Sequence, residues 1–201
     1  MIAQALTELC EALPSFLDGK TILDSMHDRN QKNWKQTEFL AFYIEDFALN
    51  FLENFGFETN KYSIKGLGKG NVVIDTFKEF PIDVKTSFKQ ADCPFNDKFV
   101  VDKVIEEFGK IGVIKIVSNG IEDSDFELTK YYKHLKGDFD EVSPKTRKVK
   151  KGADILGIDY YEILSNSCLK LFSQGKNSNG NPRNPKYLIP KELQPTISIR
   201  K

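Results

Sequence analysis

In the segment 71–89, NVVIDTFKEFPIDVKTSFK, strand alternation would gather two of the acids and one of the lysines, Asp75, Asp83 and Lys85. If residues 78–80 form a three-residue hairpin loop, Asp75 lies opposite Asp83, and opposed Cβ atoms in such a pair are about 4.5–5.5 Å apart. Lys85 follows Asp83 by two residues and points to the same face. Ile74, Ile82 and Val84 point to the other face, and their burial would hold the register. Such a trio suits phosphodiester hydrolysis. Hard carboxylate oxygens bind Mg²⁺, which keeps several waters and reaches a phosphate oxygen. A lysine beside it orients the attacking water and stabilises charge in the transition state. Partial desolvation would lower the lysine pKa toward a base role, but neighbouring carboxylates push the other way, so the orienting role is preferred. The plain structural reading is a surface hairpin with a cross-strand Lys–Asp pair. A second acid–x–Lys spacing, Asp18 and Lys20, has no strand pattern or upstream acid and reads as solvated.

The elements needed to position this trio can be read around it. The chain has 201 residues, 40% hydrophobic and 12% aromatic, enough for a packed core and too much for global disorder. The expectation is one domain spanning 1–201. Leu6, Leu9 and Leu13 mark a helix over about 3–17 that stops near Pro14–Gly19, and 26–34 reads as a polar loop. A stronger helix is expected from about 35 to 55, its core stripe formed by Phe39, Tyr43, Phe47 and Phe51. Strands are expected at 57–64, 72–77 and 81–86, with a glycine turn at 66–70. A helix follows over about 97–108, capped by Asn96 or Asp97. The apolar run 113–117, VIKIV, reads as a buried central strand. Another helix, at 123–135, is capped by Asp123 or Ser124, and a last strand lies at 155–164. This order predicts an α/β (α+β) fold, a mixed central sheet flanked by helices on both faces.

The arrangement Asp75, Asp83, x, Lys85 resembles the PD-(D/E)xK nuclease superfamily, which contains many type II restriction endonucleases. In that family an acid ends one strand, and a second acid, any residue and lysine follow on the next. Ile74 stands where the name-giving proline would be. The stretches NWKQTEFLAFYIEDF and QGKNSNGNPRNPKY also look similar to segments of some restriction endonucleases. The resemblance implies a restriction-endonuclease-like core over about 35–118, Mg²⁺ dependence and cleavage of double-stranded DNA. Asp75 and Asp83 would bind metal and Lys85 would position the nucleophile. The family often adds a glutamate from the preceding helix. Glu38 and Glu45, seven residues apart, lie on nearly one face, and Glu38 is preferred as catalytic and metal-binding because it lies in the first turn beside Gln36. Cutting both strands of a palindrome implies a homodimer.

The charge distribution suits a polyanion-binding surface beside a carboxylate-rich centre; the alternative is an ordinary mixed surface. The net charge is zero, yet residues 129–201 hold 15 basic and 7 acidic side chains, so the C-terminal part is basic and the rest acidic. Lys145, Arg147, Lys148, Lys150 and Lys151 form a run suited to phosphates; the alternative is a solvated loop. Gln174, Lys176, Asn177, Asn179, Asn181, Arg183 and Lys186 lie in a loop whose amides and guanidinium suit base edges; the alternative is a disordered linker. The DNA-contacting part is therefore expected over about 143–201. Two rivals stay open: a structure-selective repair or junction-resolving nuclease, and a non-catalytic DNA-binding protein.

Other chemistries lack their residues. His27 and His134 are isolated. Residues 66–70, GLGKG, lack the Lys–Ser/Thr and helix of a phosphate loop, so no nucleotide cofactor is expected. Cys10, Cys93 and Cys168 are odd in number and far apart, which predicts neither disulfides nor a cysteine zinc site. No apolar run reaches the ~18–20 residues of a membrane span, and the N-terminus does not read as a secretory signal. The expected compartment is the reducing cytoplasm.

Overall fold

Apolar residues at helical spacing produce a first helix, α1 (Ile2–Ala12), in the computed structural model, which describes residues 2–59, 63–65, 71–88, 92–176 and 179–201. The next stretch differs from expectation. Strand β1 (Phe16–Asp18) leads directly into α2 (Gly19–Asp28), where a turn and a polar loop were predicted. Asp18 caps this helix, its Oδ1 accepting from the Thr21 amide and hydroxyl, both at 2.8 Å. The polar residues of 26–34 lie outward, while Met26 and Trp34 are buried. A 3-10 turn (Lys32–Lys35) separates α2 from α3 (Phe39–Glu53), which therefore starts later than its periodicity implied.

The core face of α3 is also rotated from the predicted stripe. Leu40, Ile44, Ala48 and Leu52 are buried with Phe39 and Leu49, whereas Tyr43, Phe47 and Phe51 are only partly buried along the edge. The helix is apolar nearly all round because it is packed by α1 and α2 on one side and the sheet on the other.

The remaining strands are β2 (Glu58–Thr59), β3 (Ser63–Lys65), β4 (Asn71–Val73), β5 (Thr76–Phe77), β6 (Pro81–Phe88) and β7 (Cys93–Asp97). Helix α4 (Lys98–Phe108), β8 (Ile111–Glu122), α5 (Glu127–Leu135), β9 (Lys150–Ile163), β10 (Lys170–Phe172), β11 (Lys186–Ile189) and β12 (Ile197–Arg200) complete the order. The main sheet runs β1-β9-β8-β6-β5-β2, with β12 also on β9; β6 and β8 are parallel and the other pairs antiparallel. The fold is thus mixed α/β around a mixed sheet. A three-stranded sheet, β10-β11-β7, and a hairpin, β3-β4, stand apart from it.

Each face of the main sheet has its own core. Ile82, Val84, Ile114, Ile116, Ile158 and Tyr160 pack under α1–α3 with Leu128 and Tyr132 of α5. Ile111, Val113, Tyr161 and Ile163 pack on the other face with Val100, Val101 and Val104 of α4. β8 is buried from Ile111 to Ser118, as a central strand must be. The expected glycine turn at 66–70 lies outside the described residues.

Candidate active site

The site forms where one strand of a hairpin ends early. β5 and β6 pair Thr76 with Ile82 and Phe77 with Pro81, joined by residues 78–80, and the same register carried one step back sets Asp75 against Asp83. Asp75 has left the ladder, however, and its Oδ2 accepts from the Val84 amide at 2.9 Å. Beyond that point β6 presents an open edge. Glu45, from α3, fills the next position there, its Oε1 accepting from the Thr86 amide at 3.0 Å. Two carboxylates therefore replace the missing strand as acceptors, which is what unpaired strand amides require.

Lys85 lies between Val84 and Thr86, the two residues whose amides these carboxylates accept from. Its Nζ is 3.1 Å from Asp83 Oδ2 and 3.3 Å from Asp75 Oδ2. Asn96 of β7 donates to Asp83 Oδ2 at 3.5 Å. The side chain of Asp83 is only 1% exposed, while those of Lys85 and Asp75 are 23% and 31% exposed, so the cluster is open on the Asp75 side.

The charges sort by environment. Burial drives the Asp83 carboxyl well above the carboxylate range, opposed by Lys85 and reinforced by Asp75. Burial acts upward on Asp75 too, but the Lys85 ammonium and hydrogen bonds from Asp83 and the Val84 amide outweigh it and hold Asp75 low. Burial disfavours the Lys85 charge, yet Asp83, Asp75 and Glu45 together raise it above the ordinary lysine value. Glu45 is pushed up to about 7 by burial, against the pull of Lys85 and the Thr86 amide. Between the two carboxyls the proton affinity is thus shifted toward the buried Asp83 and away from Asp75.

Of the two glutamates on α3, the structure brings Glu45 to the cluster and not Glu38. Glu38 stands seven residues earlier, about 10 Å along the helix axis, where it pairs with Arg147 and accepts from the Thr37 hydroxyl at 2.8 Å. The preferred Glu38 thus stands apart from the cluster, and its alternative Glu45 beside it. The place of Glu38 in the first turn was the weaker criterion; reach to the β6 edge is the stronger one.

The same row of the sheet holds a charge that sequence reading passed over. Lys85 neighbours Lys115 on β8, Lys115 neighbours Asp159 on β9, and Asp159 neighbours Ser198 on β12. Lys115 is 3% and Asp159 6% exposed. Asp159 Oδ1 accepts from Ser198 Oγ and pairs with Arg200, both at 2.7 Å. The signal was a lysine centred in the run VIKIV, which is improbable on a strand buried on both faces unless the charge has a role.

A groove of about 740 Å³ opens at the Thr86–Ser87 end of β6. α3 forms one wall, and the outer part of β8 and the segment 146–150 form the other. Arg147, Lys148 and Lys150, three of the five cations in the predicted basic run, line it; the groove lies with Thr86 on the α3 face of the sheet, whereas Asp83 and Lys85 turn to the other face. These cations are already engaged: Arg147 by Glu38, Lys150 by Glu122, and Lys148 over the Phe126 ring at 4.0 Å. Lys151 pairs with Asp125 at 3.0 Å, and Lys145 is exposed.

The described residues of the loop expected over 174–186 form a structured arm rather than a linker. It joins the antiparallel strands β10 and β11, and Lys176 bridges to Pro182. Gln174 Nε2 donates to the Asn184 carbonyl at 2.7 Å, and the Arg183 amide to the Gly175 carbonyl at 2.8 Å. Asn179 and Asn181 belong to this arm, while Asn177 lies outside the described residues. At its base Lys186 faces Asp97 of β7, one residue from Asn96 and so beside Asp83.

Among the described residues no group of three or more His, Cys, Asp or Glu side chains is gathered to hold a metal ion, and no helix is long and apolar enough to cross a membrane. What the cluster offers is two carboxylates, with Glu45 alongside on the same strand edge. Comparison of the chain with protein-family models, with curated proteins and with solved structures gives no match.

Proposed function

We propose that the protein is a Mg²⁺-dependent endodeoxyribonuclease of the PD-(D/E)xK type, acting as a site-specific type II restriction enzyme. One observation carries the reading: Asp75, Asp83 and Lys85 converge on the open edge of a strand beside a cation-lined groove. Hard carboxylate oxygens, two of them with a third nearby, fit Mg²⁺, which is commonly held by one or two carboxylates plus waters and substrate phosphate. Asp75 and Asp83 would hold the ion, and Glu45 would support it directly or through water. When bound, the ion would lower the pKa of a coordinated water and neutralise phosphate charge.

The chain's own groups supply the rest. Lys85, held protonated by its acidic neighbours, orients the attacking water and stabilises the charge that develops on the phosphate. Burial raises the Asp83 carboxyl and a cation binds its ionised form, so assembly of the site would favour higher pH. Arg147, Lys148 and Lys150 exchange Glu38, Glu122 and the Phe126 face for backbone phosphates. The arm at 174–186 carries the amide and guanidinium side chains for base edges. In-line hydrolysis would leave 5′-phosphate and 3′-hydroxyl ends. A palindromic site implies a homodimer, and exposed Leu164, Leu171 and Phe172 offer apolar surface for one.

The mutual neutralisation of Asp75, Lys85 and Asp83 favours one second reading, a DNA-binding protein that does not cleave. Incubation with phage DNA separates the two. The nuclease gives discrete fragments with Mg²⁺ and none with EDTA or after Asp83→Asn, whereas a smear would indicate a nuclease without sequence preference, and intact DNA the binding protein.

A further inference from the structure

We propose that the groove beside the carboxylate–lysine cluster is a nucleotide pocket, which seats one base against α3 and β8 and its phosphate on Arg147, Lys148 and Lys150. The identity of the ligand rests on the nucleic-acid reading above. The existence of an apolar pocket with cations in its lining does not.

Three features point to a base. The first is shape and lining. At about 740 Å³ the groove has the size of a small-molecule site, and Leu40, Ala41 and Ile44 of α3 give it an apolar wall. A duplex backbone passing over the surface has nothing to bury against such a wall, while a flat aromatic base does. The second is an unmet polar group. Thr86 Oγ1 is buried, lines the groove and has no hydrogen-bond partner among the described residues. A buried hydroxyl left in this state is costly, and the edge of a base supplies both donors and acceptors to satisfy it. The third is charge. Three cations line the groove, and their present partners, two glutamates and a ring, are exchangeable for phosphate.

The position gives the pocket its meaning. Thr86 follows Lys85 on β6, and its amide holds Glu45. Thr86 turns to the α3 face and Lys85 to the other, so a strand with one base drawn into this groove would reach the cluster around the β6 edge that Asp75 and Glu45 occupy, with that nucleotide unstacked. The enzyme would then read or strain its substrate by extruding a base, at a cost of a few kcal/mol that contacts in the pocket must offset.

Saturation-transfer NMR with the four 2′-deoxynucleoside 5′-monophosphates tests this on the intact chain without metal or cleavage. Saturation is expected to be strongest on base protons, with deoxyribose 5-phosphate and inorganic phosphate binding at least about tenfold more weakly. Ala41→Trp, which fills the pocket, should weaken nucleotide binding about tenfold or more. Thr86→Val, which keeps the volume and removes the hydroxyl, should weaken it several-fold, and it serves if the tryptophan variant misfolds. Asp83→Asn should bind nucleotides as the wild type does, so loss of cleavage and loss of the pocket are distinguishable. Equal binding of deoxyribose phosphate, absence of saturation on base protons, or unchanged affinity in the Thr86 variant would overturn the proposal.

Discussion

Glu45 shows how one residue ties stability to chemistry. Burial pushes its carboxyl up to about 7 in the folded chain, against an ordinary value of 4.5. Between those values the folded chain holds a proton that the unfolded chain has lost. Stability contributed by the neutral form is therefore complete below about pH 4.5 and declines as pH rises through about 7. Urea unfolding at pH 5 and pH 8 should show Glu45→Gln losing less stability over that interval than the wild type, by about 1–3 kcal/mol. Cleavage should change in the opposite direction, rising through the same interval as Glu45 ionises to support the metal. The trio itself was legible in the sequence because alternation on a hairpin is strict: Asp75, Asp83 and Lys85 meet as spacing required. The choice between Glu38 and Glu45 was not, since a helix face fixes direction but not which turn reaches the open amide of Thr86.

Among the elements, β8 and α4 were readable from uninterrupted apolar spacing, and β6 from its alternation. α2 was not. Its buried positions, Ile22, Leu23 and Met26, are spread through a polar segment whose outer face dominates composition. The stripe on α3 misled because a helix packed on two sides has no single apolar face to find. β12 is four residues long, with only Ile197 and Ile199 turned toward apolar neighbours, too short for a period to register. Yet β12 closes the far side of the charged row through Ser198 and Arg200. It can approach β9 because Gly157 adopts φ 148° at a register shift, where a Cβ would collide with the Ile199 carbonyl. Gly157→Ala should therefore destabilise the protein by roughly 3 kcal/mol through backbone strain and overpacking, measured by chemical denaturation.

At the scale of the molecule, the basic C-terminal part and the acidic N-terminal part meet at the groove, where α3 supplies Glu38 and the 146–150 segment supplies Arg147. DNA must displace that ion pair. Affinity should accordingly fall steeply with salt, and Arg147→Ala should reduce the slope of log affinity against log salt by about 1 without changing sequence preference. The central claim concerns Lys85 and its two carboxylates, and plasmid cleavage with Mg²⁺ by Lys85→Ala, paired with DNA binding in EDTA, tests it most directly. The account predicts a rate at least about 100-fold below wild type with binding retained. A Lys85→Ala protein that cuts DNA as fast as the wild type would contradict it.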